Sequence, residues 1–160
     1  MSHSTIRAYQ RSDAAGVVRL FDALGYPATT AEIAHDRFMA SNGIKQCLLV
    51  ADVAGEIAGW VHVCQMPSIV AVPYAEVRAI VVDPARQRGG LGKQLMAAAE
   101  AWATQTLAAG KIRLSSNITR NDAHRFYARL GYVSSKTSHV FEKVLDQTVL
   151  NKEEACTTRN

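Results

Sequence analysis

A chain of 160 residues that is 48% hydrophobic and 20% charged has the size and composition of one globular domain around one core. Its net charge of +4 is modest and spread along the chain, which argues against a nucleic-acid-binding protein with a dense basic stripe. Three widely spaced cysteines (Cys47, Cys64 and Cys156) form neither a disulfide framework nor a zinc motif. No apolar run reaches the roughly 18 to 20 residues of a membrane helix, so we expect a soluble cytoplasmic protein without membrane or nucleic-acid partners.

The amino-terminal part of the sequence predicts one strand and two helices. Residues 5–9 alternate between apolar and polar, which is typical of a strand. Apolar residues at 17–24 recur at helical spacing, and Gly25 ends that segment. Thr29 or Thr30 is a suitable N-cap for a second helix.

Three strands are predicted in the middle of the chain. Residues 46–53 and 56–65 are strand-like, and the Ala54-Gly55 pair between them suits a tight antiparallel hairpin. A third strand is predicted at about 74–82, where Asp83-Pro84 ends it.

The rest of the pattern predicts helices that alternate with strands. A long helix is expected at 91–107, a strand at 111–116 and a helix at 121–130 that Gly131 ends. Two short strands are expected to finish the sheet, around Tyr132 and again at 139–144. The crossover helix between two of the strands favours parallel pairing there.

These elements predict an α/β fold with a mixed central sheet of six to seven strands flanked by about four helices. We expect one domain over residues 1–145. Residues 146–160 are polar and are expected to form a flexible tail.

A glycine cluster lies at 87–92, between a predicted strand and the long helix, in the sequence Gln-Arg-Gly-Gly-Leu-Gly. Glycines let a backbone turn sharply and approach a ligand closely. The helix that follows directs its free N–H groups and its positive dipole end into the turn. Arg86, Arg88 and Lys93 add positive charge, so the segment predicts a phosphate site. It is neither the G-x-G-x-x-G fingerprint nor a P-loop.

Two segments resemble motifs of the GNAT acetyltransferase superfamily. Residues 82–92 are similar to its acetyl-CoA signature, Q/R-x-x-G-x-G/A after a strand that ends in V-x-P, with Gln87, Gly90 and Gly92 at the fixed positions. Residues 123–132 resemble its A-x-x-F/L-Y-x-x-x-G-F/Y segment. The two motifs occur in the family's order, and the resemblance covers about residues 5–144.

The resemblance implies acetyl-CoA as the acyl donor and assigns residues to it. Backbone N–H groups of the turn would bind the pyrophosphate, and main-chain groups of the preceding strand would bind the pantetheine arm. The family often places an asparagine seven residues before the motif tyrosine. Arg120 stands there, so either Asn121 takes that role, which we favour, or Arg120 contacts the cofactor differently. The implied cofactor-binding residues are Ile80, Val81, Val82, Gln87, Arg88, Gly89, Gly90, Leu91, Gly92, Lys93 and Asn121.

Tyr127 and Glu76 are the candidate catalytic residues. A tyrosine at the position of Tyr127 commonly serves these enzymes by donating a proton or a hydrogen bond to the leaving thiolate, and the alternative is packing beside Phe126. Some members carry a catalytic glutamate at the position of Glu76, which would take the proton of the amine. Its alternative is an ion pair with Arg78, with an ordered water as the base.

The resulting hypothesis is an N-acetyltransferase that acetylates a primary amine of a small molecule by direct attack in a ternary complex. The alternatives are a protein lysine or N-terminal acetyltransferase and a non-catalytic CoA-binding sensor. The five histidines are scattered, so no metal is expected. A homodimer is possible, and the acceptor amine is left open.

Overall fold

The computed structural model describes residues 4–26 and 29–146 of the chain. The chain divides into two compact units, Met1–Ser115 and Ser116–Asn160. The predicted single domain over 1–145 stays a prediction, and almost all of the predicted tail lies outside the described residues. In chain order the elements are β1 (Ser4–Ala8), α1 (Ala14–Arg19), α2 (Ala31–Met39), β2 (Gln46–Val53), β3 (Glu56–Met66), β4 (Tyr74–Val82), α3 (Leu91–Leu107), β5 (Ile112–Leu114) and α4 (Asn121–Arg129), with single 3-10 turns at Arg11–Asp13, Asp22–Leu24 and Pro84–Arg86.

The first unit contains a five-stranded sheet in the order β1-β2-β3-β4-β5. The first four strands are antiparallel neighbours, whereas β5 pairs in parallel with β4 after the α3 crossover. The predicted change from antiparallel to parallel pairing is therefore confirmed, because a helical crossover returns the chain in the same direction.

Local signals in the sequence explain where several elements begin and end. The hairpin between β2 and β3 has Ala54 and Gly55 at φ 54° and 86°, the left-handed pair that a two-residue turn requires. Thr30 caps α2 by accepting a hydrogen bond from the Ile33 N–H at 3.3 Å. The predicted bounds of β4 and α3 agree with the structure.

The predicted strands near Tyr132 and at 139–144 are wrong. Between residues 130 and 146 the described chain is irregular, so the sheet has five strands instead of six to seven. Val140 and Phe141 are 84% and 91% exposed. An alternating apolar pattern indicates only that a strand would fit a half-buried edge, and it does not supply the neighbouring strand that the backbone needs.

Consecutive residues of β3 direct their side chains to opposite faces of the sheet, where they pack against different helices. On one face the Trp60 Nε1–H donates to the Val17 carbonyl of α1 at 3.1 Å. On the other face Val61 is fully buried, as are Leu95 and Met96 of α3. The helix α1 therefore covers the face that carries Trp60, which we call the α1 face, and α3 covers the opposite one.

Candidate active site

Asp83 lies directly after β4, and its carboxylate fixes the segment that leads into the glycine turn. It accepts a hydrogen bond from the Ala85 N–H at 3.0 Å, which starts the short 3-10 turn. It also pairs with Arg19 of α1 at 2.9 Å, and the same guanidinium donates to the Ile57 carbonyl at 3.0 Å. The hydrogen bond from Ala85, and after it the one from Arg19, lower the pKa of Asp83, so it stays a carboxylate at neutral pH.

The turn itself folds back on the end of β4. Gln87 donates from its side-chain amide to the Val82 carbonyl at 3.4 Å. Arg88 and Gly90 both have left-handed backbones, with φ of 67° and 81°. This conformation is costly for the non-glycine residue Arg88, and such strain concentrates at ligand-binding turns.

Helix α3 begins at Leu91, and Gly90 places no side chain on its free N–H groups. The first four N–H groups of a helix need an acceptor from outside the helix. Because they lie at the glycine turn, together with the positive end of the helix dipole, this end of the 17-residue helix suits a phosphate group. The geometry thus fits the pyrophosphate site predicted at 87–92.

Beside this turn, β4 has an open edge. The strand β5 pairs with β4 only at residues 75–77. In the part of the chain that the structure describes, residues 78–82 therefore have no strand partner on that side. Apart from the Val82 carbonyl, which accepts the hydrogen bond from Gln87, their outward main-chain groups are available to an extended ligand. The predicted pantetheine-binding residues 80–82 belong to this segment.

Glu76 lies at the other end of that open edge, on β4. Its Oε1 accepts a hydrogen bond from Arg78 at 2.6 Å, and its side chain is 17% exposed. The ion pair with Arg78, which is the alternative to a base role for Glu76, is therefore present. The contact fixes the orientation of the carboxylate. The base role itself stays a prediction.

A polar and aromatic cluster covers the α1 face next to Glu76. His62 lies on this face, and its Nε2 is 2.9 Å from the Gln46 Oε1. The Tyr9 hydroxyl lies 3.0 Å from the His35 Nδ1, and Phe38 packs edge-on against the His62 ring. Burial lowers the pKa of His62 and the nearby Arg78 adds to this effect, so His62 is neutral at neutral pH.

Sequence reasoning missed most of this cluster. His62 and Cys64 alternate along β3, and Cys64 lies opposite Glu76 of β4. The residues of the cluster come from the segment after β1, from α2, from β2 and from β3. They leave no periodic signal in the sequence, because each of these segments contributes only one or two of them.

Tyr127 lies on α4 in the second unit and is half-buried. Its ring centroid is 5.2 Å from that of Phe126 and 6.0 Å from that of Tyr132. Burial raises the pKa of the phenol, and the positive charge of Arg120 partly opposes this rise. The phenol is therefore protonated at neutral pH and can donate. Asn121 is the first residue of α4 and is exposed, and the choice between it and Arg120 stays a prediction.

No cluster of three or more histidine, cysteine, aspartate or glutamate side chains that could hold a metal occurs within residues 4–26 and 29–146. Over the same residues no helix has the length and apolar character needed to cross a bilayer. The expected cytoplasmic location and the possible homodimer stay predictions.

Residues 13–132 match the model of the acetyltransferase (GNAT) family. The chain therefore belongs to this family, and the resemblance seen in residues 82–92 and 123–132 is confirmed. The α/β fold with its mixed sheet, the glycine turn and the open edge of β4 are in keeping with that membership.

Among characterised proteins, the chain is 46% identical over 71 residues to an aminoalkylphosphonate N-acetyltransferase of Salmonella typhimurium strain LT2. That match covers 44% of this chain and 44% of the relative, so it spans less than half of either protein.

Solved structures share the fold over most of the chain. AAC(6')-Iy in complex with the bisubstrate analogue CoA-S-monomethyl-acetylneamine has a TM-score of 0.78 at 18% identity, over 89% of this chain and 99% of that one. The ribosomal-protein-alanine N-acetyltransferase of Brucella melitensis biovar Abortus 2308 has a TM-score of 0.72 at 16% identity, over 89% and 100%. The names of these two proteins point to different acceptors, so at this identity the likeness establishes the fold alone.

Proposed function

We propose that this protein transfers an acetyl group from acetyl-CoA to a primary amine of a small molecule, with both substrates bound together. The observation that carries the proposal is one continuous path in the first unit. It runs from the uncapped end of α3 at the glycine turn, along the unpaired edge of β4, to the carboxylate of Glu76.

Acetyl-CoA fits this path by its chemistry. The N–H groups at the start of α3 suit the pyrophosphate, and Arg88 and Lys93 add charge beside it. The four steps of strand from Val82 back to Arg78 cover about 13 Å, a length suited to an extended pantetheine arm. Its main-chain amides would then be matched by the free N–H and C=O groups of β4, which brings the thioester close to Glu76.

The reaction needs an amine without its extra proton. The amine nitrogen attacks the thioester carbonyl carbon, a C–N bond forms, the C–S bond breaks and the thiolate leaves. The surplus amine proton passes to the Glu76 carboxylate, directly or through a water, and then to solvent. Arg78 contributes by holding the Glu76 carboxylate in a fixed position.

Tyr127 would stabilise the leaving thiolate through its O–H. A thiol has a pKa near 8.5 and an unperturbed tyrosine one near 10, so complete proton transfer from the phenol to the thiolate is uphill by roughly 2 kcal/mol. Burial raises the pKa of Tyr127 and increases that gap. We therefore assign it the donation of a hydrogen bond to the sulfur, with the final proton coming from solvent.

The small-molecule acceptor is favoured by the 46% identical segment shared with an enzyme named for an aminoalkylphosphonate. A panel of small amines and of peptides with free lysines or N-termini tests this, with free thiol released from acetyl-CoA as the readout. We expect release with small amines. Release with peptides alone would favour the protein acetyltransferase, and tight acetyl-CoA binding without release would favour the sensor.

A further inference from the structure

We propose that Arg113 is a specificity-determining residue that selects acceptors carrying an anionic group a few bonds from the amine. This inference rests on the proposed function, because it concerns the acceptor end of the same site. The ligand class is a small primary amine with a phosphonate, phosphate or carboxylate group.

Arg113 lies beside Glu76 on the neighbouring strand. The two are register partners in the parallel pairing of β4 and β5, and neighbouring strands lie about 4.8 Å apart. The Arg113 Cζ lies 4.8 Å from the ring centroid of Tyr74. Tyr74 is two residues before Glu76 and therefore on the same face of β4, so the Arg113 guanidinium extends over the face that carries Glu76.

The charges on this face do not balance. Glu76 is paired with Arg78 at 2.6 Å. Arg113 is half-buried, and no carboxylate contacts it among the described residues. The Arg78 and Arg113 guanidinium groups thus lie near one carboxylate, that of Glu76, and one positive charge is left without a counterion.

The helix α2, which reaches His62 on the same face, adds no compensating carboxylate to the cluster described above. The α2 residues that reach the cluster are His35 and Phe38. The acidic residues of the same helix, Glu32 and Asp36, are exposed. An acceptor with several positive charges would therefore meet repulsion at Arg113, whereas one with an anionic end would meet attraction.

The spacing fixes the shape of the acceptor. With the amine at Glu76 and the anion at Arg113, the two ligand groups lie on adjacent strands and can be joined by only a few bonds. A guanidinium can bind a phosphonate or carboxylate through two parallel hydrogen bonds, which gives the contact geometric specificity.

The test compares acceptor amines that differ in charge. The anionic arms are 2-aminoethylphosphonate, phosphoethanolamine and β-alanine, the neutral arm is propylamine and the polycationic arm is spermidine. We expect kcat/KM for the phosphonate to exceed that for propylamine by about tenfold or more. Arg113→Met should lower the anionic values about 10- to 100-fold, leave propylamine within about twofold, and reduce the rise of the phosphonate KM with added salt.

Two further variants separate specificity from folding. Arg113→Lys should recover part of the preference for anionic acceptors, because lysine keeps the positive charge but lacks the paired N–H donors of the guanidinium. Arg11→Met removes an exposed arginine with the same change in net charge and should leave every arm unchanged. Equal kcat/KM for phosphonate and propylamine in the parent, or an equal loss for all arms in Arg113→Met, would overturn the inference. Acetylation of propylamine without a preference for anionic acceptors would leave the acetyltransferase proposal intact. If no acceptor were acetylated although acetyl-CoA binds, both the acetyltransferase proposal and the role of Arg113 would be overturned.

Discussion

The carboxylate of Glu76 and the guanidinium of Arg78 are joined at 2.6 Å although the two residues lie on a single strand. The contact lies at an irregularity in the β3–β4 register. Ala79 is opposite His62 and Val77 is opposite Val63, so Arg78 between them has no partner on β3. A bulge of this kind bends the strand and redirects a side chain. Here the unpaired residue is the one whose guanidinium contacts the carboxylate of the candidate base.

Replacing Glu76 with glutamine should remove the base while keeping a hydrogen-bond acceptor for Arg78. We expect kcat to fall by about 100-fold or more, the usual contribution of a positioned general base. The KM for acetyl-CoA should stay within about threefold, because the path that suits the cofactor lies in the turn and the edge of β4. Steady-state kinetics with both substrates varied measure this.

Glu32→Gln is the control for that experiment, since Glu32 is exposed on α2 and the same charge is removed. Both variants should unfold at the same temperature as the parent. If Glu76→Gln retained the parental kcat, an ordered water would be the base and Glu76 would only pair with Arg78.

Replacing Tyr127 with phenylalanine should remove the O–H and keep the packing against Phe126. Loss of one donor to a developing negative charge lowers kcat by about 100-fold in well-studied sites, and we expect a loss of about 10- to 100-fold here. Tyr132→Phe is the matched control, because the family motif accepts either aromatic residue at that position. A thioester with a better leaving thiolate should narrow the deficit of Tyr127→Phe, and an undiminished deficit would count against this role.

Replacing Gly90 with alanine should damage the cofactor site selectively. Gly90 has φ 81°, where an alanine is strained by about 1 kcal/mol or more. No atom lies near the added methyl, so the cost falls on the conformation of the turn. We expect the KM for acetyl-CoA to rise about fivefold or more with kcat largely kept.

Gly110→Ala serves as the comparison for Gly90→Ala, because its site is also open and it does not have a left-handed backbone. It should leave the KM for acetyl-CoA unchanged. Equal acetyl-CoA affinities of the two variants in calorimetry would mean that the turn at Gly90 does not bind the cofactor.

Asp13 should make stability depend on pH in the acid range. Its buried carboxylate accepts hydrogen bonds from Arg7 at 2.7 and 2.9 Å and from the Gln10 N–H at 2.8 Å. The bonds from Arg7 lower its pKa, against the opposing effect of burial. Because the pKa is lower in the folded chain, the stabilisation is complete above the unfolded value of about 4 and is lost as pH falls through the folded value.

Urea unfolding at several pH values measures this effect. Asp13→Asn should lower the free energy of unfolding at neutral pH by about 2 kcal/mol, since it weakens the charge-assisted hydrogen bonds from Arg7, which keeps its contact with Asp52. It should also flatten the decline of stability below about pH 4. Asp22→Asn, at an exposed position, should do neither. An unchanged acid decline in Asp13→Asn would show that other carboxylates cause it.

The sequence predicts well those elements whose ends are marked by nearby proline, aspartate or glycine residues. β4 lies between Pro73 and the Asp83-Pro84 pair, and α3 follows a glycine cluster, so their ends are encoded within a few residues. The strand predicted at 139–144 has the right alternation, yet pairing depends on a distant neighbour, and Phe141 is exposed instead.

The candidate site also has some features that short segments of sequence predict and others that they do not. The glycine turn and the two alternatives for Glu76 follow from short segments. The contacts between Tyr9 and His35, and between Arg113 and Tyr74, join residues 26 and 39 positions apart and depend on register across the sheet. No pattern along the chain contains that information.

The most direct test of the central claim follows the acetyl group itself. Purified protein is incubated with acetyl-CoA labelled in the acetyl group and with a small primary amine, and product mass and free thiol are measured together. We expect an amine that gains one labelled acetyl group for each thiol released, at a rate that depends on both substrates. Thiol release without an acetylated amine, or no release from any small amine although acetyl-CoA binds, would contradict the assignment as a small-molecule N-acetyltransferase.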